Sequence, residues 1–375
     1  MTELAVSTEA TLATPLAVHL SAQGAELAAY RGVLTPQHFD AATAETEALL
    51  TSAAVHDLGW LRRVAVGGED RFRWLSGMVT NAVEALPDQS GAYNLVLNAQ
   101  GRIQGDVVVW RRGDTLALQI EAGQADALLT HLDHYIIMDD VELVPVTGES
   151  TLGLTGPEAE RILTTLGLPA PSTEWTVADG AVGPIAVKVE RCHGSLVPHF
   201  ALNLAAEQVP TLWQTLLTAG AKPVGSAALE TLRVVEGIPA YGVDIQSRDL
   251  AQETSQMRAL NFTKGCYLGQ EIVERIRSRG QVHRHLRSLE LFPDNPGALP
   301  GQLPEPGAEI RLTGGAADAK AAATLTSVAA LQLKGGDRVF AIGMIRAEAE
   351  IGDAQLSYAG GTARILYSNP SLTTA

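Results

Sequence analysis

Residues 264–271 read Lys264-Gly265-Cys266-Tyr267-Leu268-Gly269-Gln270-Glu271, and they gather more reactive chemistry than any other stretch of the chain. One of only two cysteines lies two residues from a lysine and next to an aromatic. Gly265 and Gly269 permit backbone angles that a side chain would forbid, which predicts a tight turn into an amphipathic helix over 271–279. A helix N-terminus and a nearby ammonium both favour thiolate over thiol, making Cys266 reactive or able to ligate a metal. The same residue types equally suit a glycine-rich loop around a buried, inert cysteine.

Other groups carry weaker signals. From Lys264 to Arg287 six basic residues (Lys264, Arg275, Arg277, Arg279, Arg284, Arg287) face two acids, Glu271 and Glu274, in a chain of net charge −15. Such a strip suits an anionic ligand tail or an acidic partner, and equally a solvated helix face with Glu–Arg pairs. Arg233 can pair with Glu230 or Glu236 across one helical turn, or serve a site. Cys192 and His199 lack a recognised metal spacing and read as structural; His283 and His285 read as the end of a surface strand. The glycine pairs at 67–68, 335–336 and 360–361 lie between strands, so a nucleotide loop has little support. No Ser/His/Asp arrangement stands out.

The elements that must position these groups alternate between strand and helix. Residues 1–34 show no clear periodicity and are expected to form a loose arm with a short strand. Thr35-Pro36, a cap residue followed by proline, predicts a helix to about Ser52. Strands are expected over 55–59, 61–66, 93–98, 103–110 and 116–120, with helices over 70–78 and 125–135. The pattern continues with strands at 151–155, 185–189 and 200–204 and helices at 157–166 and 208–219. A further helix starts at Ser226 and stops at Gly237-Ile238-Pro239. Residues 292–307 hold five prolines and read as a connector, and 314–323 as a small-residue loop. Short strands at 309–312, 323–329, 340–345 and 363–366 suggest a terminal β-barrel or sandwich. No internal repeat is visible.

Composition sets the limits. At 375 residues, 46% hydrophobic and 18% charged, the chain suits a soluble globular protein of two or three compact units. The acidic balance argues against general nucleic-acid binding. No run approaches a membrane span, the N-terminus lacks the marks of a signal peptide, and two cysteines fit a reducing compartment. A cytoplasmic location with no membrane partner is expected.

The motif at 264–271 resembles the KGCYxGQE segment of the YgfZ/GcvT folate-binding family. Residues 232–245, from Leu232-Arg233 through Pro239-Ala240-Tyr241-Gly242 to Asp244-Ile245, are similar to its LRxEaGxPxYGxDI segment. Trp60 to Asn81, Gly101 to Trp110 and the block containing Thr326-Ser327 and Ile342-Gly343 resemble further parts of the family. The resemblance covers about 50–370. It implies an α+β GcvT-like fold: an N-terminal arm and helix (1–49), a folate-binding region of two α+β subdomains (50–282, dividing near 146–150), and a C-terminal small β-barrel (283–375), around a central hole that holds tetrahydrofolate.

The resemblance also implies roles. Trp60 would stack near the folate, Arg233 would hold its glutamate tail or a neighbouring carboxylate, and Tyr241 would line the hole. Lys264, Tyr267, Gln270 and Glu271 would join them as binding residues around Cys266. The glycine-cleavage members carry an Asp-Asp pair where this chain has Gly105-Asp106, and a glutamate that the stretch 191–198 lacks. Asp106 alone is left as a catalytic carboxylate, which argues against an aminomethyltransferase. The resemblance then favours the branch that supports iron–sulfur client or assembly proteins, with Cys266 as its key thiol. One cysteine cannot hold a cluster, which usually takes four thiolates. The alternative is a folate-dependent one-carbon (aminomethyl) transferase or demethylase.

Overall fold

A computed structural model describes residues 12–295, 303–313, 320–332, 336–350 and 355–372. The proline-rich and small-residue stretches expected at 292–307 and 314–323 lie partly outside these.

A Thr-Pro pair does open a helix, but at Thr14-Pro15. The Thr14 hydroxyl accepts the Ala17 amide and starts α1 (Pro15–Ser21). Thr35-Pro36 instead closes a hairpin of β1 (Leu27–Tyr30) and β2 (Val33–Pro36), and α2 begins only at Ala42, running to Thr51. The Glu45 carboxylate then takes the amides of Phe39, Asp40 and Gly225, a local partnership that no Thr-Pro signal shows. The expected loose arm is therefore built from a helix and a hairpin over its described part.

The next elements form one sheet made of two similar halves. β3 (Ala54–Asp57) precedes the first half: β4 (Leu61–Gly67), α3 (Arg71–Met78), β5 (Ser90–Leu97), β6 (Ile103–Arg112), β7 (Thr115–Glu121), α4 (Ala122–Asp133) and β8 (Glu142–Pro145). The second half is β9 (Glu149–Thr155), α5 (Ala159–Thr165), β10 (Thr176–Val182), β11 (Ile185–Cys192), β12 (His199–Ala205), α6 (Val209–Thr218) and β13 (Lys222–Pro223). Strand order across the eleven strands is β13-β3-β9-β12-β11-β10-β5-β6-β7-β4-β8, and the halves meet where Thr176 pairs with Ser90. Each half thus repeats strand–helix–three-stranded meander–helix–strand. Sequence reading finds no repeat because each half keeps only burial and turn positions, which many residue pairs satisfy.

Each half has its own core. In the second, α6 buries Leu212, Trp213 and Leu216 against Val187, Phe200 and Leu202 of the sheet. In the first, Leu128 and Leu132 of α4 meet Val107, Val109 and Leu118. Fully burying one such side chain is worth about 1.5–3 kcal/mol, so these apolar faces dominate the stability of each layer.

The chain then runs through α7 (Ser226–Glu236), which Gly237 ends at φ +67°, the left-handed conformation a helix stop takes most cheaply on glycine. α8 (Gln270–Arg279) follows, and then a closed six-stranded barrel. Its strands are β14 (Arg284–Pro293), β15 (Glu309–Leu312), β16 (Ala323–Leu331), β17 (Arg338–Arg346), β18 (Leu356–Tyr358) and β19 (Gly361–Leu366). α7 is the joint: Leu232 and Ala228 pack with α2, while Val234 and Val235 share a core with Phe340 and Ile342 of the barrel.

The basic strip is tied down. Arg284 pairs with Asp249 and Glu253, Arg287 and His285 with Glu350, and Arg277 with Glu274. Most of its charge is spent inside the protein rather than offered to a partner. Among the described residues no helix is long and apolar enough to cross a membrane.

Candidate functional site

A cavity of about 250 Å³ lies between the sheet, the β1–β2 hairpin and α7. Trp60, Asp106 and Arg233 line it. Tyr241 does not, though Asp106 is near enough to help burial raise its pKa. Lys264, Cys266, Tyr267, Gln270 and Glu271 are not among the lining residues.

Two half-buried acids stand on one wall. Asp106, on β6, accepts the Tyr93 hydroxyl at 2.7 Å and the Gln124 side-chain amide at 2.6 Å, while its own amide donates to the Gln124 carbonyl. Burial raises its pKa, against the pull of these hydrogen bonds. Glu121, at the end of β7, stands opposite it. The last paired residues of β6 and β7 before the strands part are Val108 and Gln119, and the same register two residues on sets Asp106 against Glu121. Burial pushes Glu121 up to about 7; Arg31, 3.5 Å away, offsets this only in part, and the Asp106 charge adds to it. The acid missing at 105 thus has a spatial counterpart on the neighbouring strand. The signal was present in the sequence, since 106 and 121 are equidistant from the hairpin turn at Gly113-Asp114.

Arginines set the opposite character. Arg31 sits at the tip of the β1–β2 turn with φ +52°, followed by Gly32 at +91°. Its side chain is only 8% exposed and contacts Glu121 and Glu230. Arg233 has all its donors committed: Nε and Nη2 to Glu230, Nη1 to Asp244 and the Ile238 carbonyl, and Nη2 also to Ser327. For both, burial works against the charge and the surrounding groups outweigh it, so their pKa values rise. Arg233 therefore holds neighbouring carboxylates and keeps no donor for a ligand tail.

The remaining wall combines apolar and polar groups. Leu58, Leu61, Val108, Phe200 and Pro239 supply apolar surface. Trp60 packs edge-on against Tyr30, and its buried indole N–H has no hydrogen-bond partner. Glu236, at the end of α7, takes the amides of Leu196 and Val197 and meets His199 at 3.0 Å. Burial raises its pKa, but His199 and these amides outweigh that and leave it below the usual carboxylate range. His199 continues through Thr155 to His56, which burial and the His199 charge draw down to about 3 and keep neutral. Cys192 also lines the cavity, its thiol pushed up to about 12 by burial and Glu190. It is a protonated, unreactive cysteine.

The KGC loop does separate work. The Lys264 ammonium donates to the carbonyls of Ser76, Val79 and Asn81, at 2.6, 2.6 and 2.7 Å, so it caps the end of α3. It also lies over the Tyr267 ring. The Tyr267 amide donates to the Gln270 side chain, and Gly269 takes φ +81° against the 98–101 turn. Cys266 is left exposed, and the loop carrying it is pinned at both ends.

Comparison with known proteins bears on what this cavity does. The family model described as GCVT N-terminal domain matches residues 16–264. An aminomethyltransferase of Rubrobacter xylanophilus is 30% identical over 282 residues, covering 74% of this chain and 76% of that protein. A putative chloroplastic transferase of Arabidopsis thaliana is 28% identical, covering 70% and 62%. The crystal structure of the glycine cleavage system aminomethyltransferase T from Bartonella henselae superposes with a TM-score of 0.81 over 95% of this chain and 96% of that one. At 19% identity this speaks for the fold alone.

Proposed function

The chain belongs to the family of the GCVT N-terminal domain, whose aminomethyltransferases bind tetrahydrofolate, and on that premise we propose that it is a folate-dependent one-carbon transferase. The observation that carries this reading is the pair of acids, Asp106 and Glu121, on the wall of this cavity.

The lining suits a reduced folate. A pterin presents N–H donors that half-buried carboxylates can accept and ring acceptors that the partnerless Trp60 indole can meet, and the apolar surface takes its flat faces. Tetrahydrofolate supplies, when bound, the ring nitrogen that carries the one-carbon unit. Asp106, fixed by Tyr93 and Gln124, holds a proton acceptor at a defined place. Glu121, pushed up to about 7 by burial, lets the wall take up and return a proton near neutral pH. The test is turnover of an aminomethyl or N-methyl donor by purified protein with tetrahydrofolate. No turnover with any such donor would remove the transferase reading.

A second reading rests on Cys266, an exposed thiol on a pinned loop outside the cavity wall. On it the protein is a cytoplasmic folate-binding factor of the YgfZ type that supports iron–sulfur client or assembly proteins. A deletion strain complemented with wild type or C266A separates the two. Lowered activity of a [4Fe–4S] enzyme with C266A supports this second role, and unchanged activity removes it.

A further inference from the structure

Three arginines line the cavity, and the third differs from the others. Arg258 sits in a short 3-10 turn, Met257–Ala259, with its guanidinium stacked 5.2 Å above the centre of the Tyr93 ring. Arg31 and Arg233 are wrapped in carboxylates. Among the described residues Arg258 has no ion-pair partner, and its buried Nε has no hydrogen-bond partner.

The charges around it tell the same story. Burial lowers the Arg258 pKa, and the attraction of Tyr93, Glu174, Asp106 and Glu236 does not make up the difference. The nearby acids are engaged elsewhere. Glu174 meets His193 at 2.9 Å, Glu236 meets His199, and Asp106 faces Tyr93 and Gln124. A guanidinium taken from water costs free energy unless an anion or acceptor replaces the water. Here the stacking holds the plane fixed, and among the described residues no carboxylate pairs with it; a guanidinium fork fits a planar carboxylate through two parallel bonds.

We propose that Arg258 is the carboxylate-binding residue of this cavity, receiving a ligand carboxylate on its guanidinium while the ligand's N–H groups face Asp106 and Glu121. The assignment deepens the folate-transferase reading and rests on it. It also moves the anionic contact from Arg233, whose donors are spent. Two sources share this chemistry: the glutamate tail of the folate, and the carboxylate of a small amino-acid donor bound beside it.

Equilibrium titration of wild type, R258K and R258Q with three probes tests the proposal: tetrahydrofolate, 6-methyltetrahydropterin (the reduced pterin with no carboxylate), and glycine or N-methylglycine added to folate-saturated protein. Thermal unfolding of each variant establishes that it is folded. R258Q should weaken one carboxylate ligand about tenfold or more, and R258K, which keeps the charge but not the fork, should fall between. Loss with tetrahydrofolate alone assigns the carboxylate to the folate tail. Loss with the amino acid alone assigns it to the second molecule. Unchanged binding of all three, or an equal loss for the carboxylate-free pterin, overturns the proposal. Wild type that binds the amino acid but no folate overturns the folate reading and leaves Arg258 judged on the amino acid, and wild type that binds no probe overturns both.

Discussion

Asp106 and Glu121 line the same cavity from adjacent antiparallel strands, two half-buried carboxylates that both feel the charge of Arg31. Like charges on one cavity wall repel, and desolvation adds to the cost of ionising both. Their retention in a packed domain is the mark of a site rather than of a scaffold.

Glu121 gives this arrangement a pH signature. Burial pushes its pKa up to about 7 in the folded protein, against an ordinary value of 4.5. The folded state therefore holds a proton between those values that the unfolded chain has released, so this group's contribution to stability is lost as pH rises from about 4.5 through 7. E121Q removes the ionisable group. It should be more stable than wild type at pH 8, by on the order of 2 kcal/mol, and indistinguishable from it near pH 4.5. Urea unfolding at the two pH values checks this. A difference between variant and wild type that is the same at both would mean that Glu121 does not titrate with folding.

Asp106 is expected to act on the reaction rather than on binding. D106N keeps the size and the Tyr93 contact but lowers the ability to take a proton. It should reduce transfer turnover about 10²–10⁴-fold while changing tetrahydrofolate affinity only a few-fold. Parallel kinetic and binding titrations decide it. A loss confined to affinity would make Asp106 a binding residue only.

The sequence made some of this legible and hid the rest for physical reasons. The strand–helix alternation, the glycine stop of α7 and the barrel were readable because each is written in local periodicity or a single backbone angle. Trp60, Asp106 and Arg233 were found through family segments, and all three line the cavity. Tyr93, Arg31, Glu121 and Arg258 were missed because their roles depend on distant pairing. Arg31 reaches the wall from a hairpin in a segment expected as a loose arm with a short strand. Arg258 is set apart because the acids near it are engaged with other groups, which shows only in the folded chain. The acid missing at 105 follows from one strand alone, whereas Glu121 reaches the same wall from the neighbouring strand.

The hairpin that delivers Arg31 depends on a close approach of two backbones. A Cβ at Gly32 would lie 2.6 Å from the Gly123 backbone at the start of α4, and φ there is +91°. Neither contact can yield by rotating a side chain. G32A should cost about 2–4 kcal/mol and pull Arg31 away from Glu121, so folate affinity should fall as well. Chemical denaturation and folate titration of the variant check both. A stability change below about 0.5 kcal/mol would show that the hairpin shifts freely, and Arg31 would lose its assigned place.

Lys264 completes the account of the KGC loop. Its ammonium satisfies three carbonyls at the end of α3, groups that a helix otherwise leaves without donors, and it does so from 183 to 188 residues away along the chain. K264M preserves the apolar stem over Tyr267 and removes the donors. The buried carbonyls then go unmet, at an expected cost of about 2–3 kcal/mol. The loop carrying Cys266 should loosen, so the thiol should react faster with a soluble alkylating reagent than in wild type. K264M that unfolds at the same denaturant concentration with unchanged thiol reactivity would show that the lysine does not hold the loop, and the motif's first residue would then need a role in binding instead.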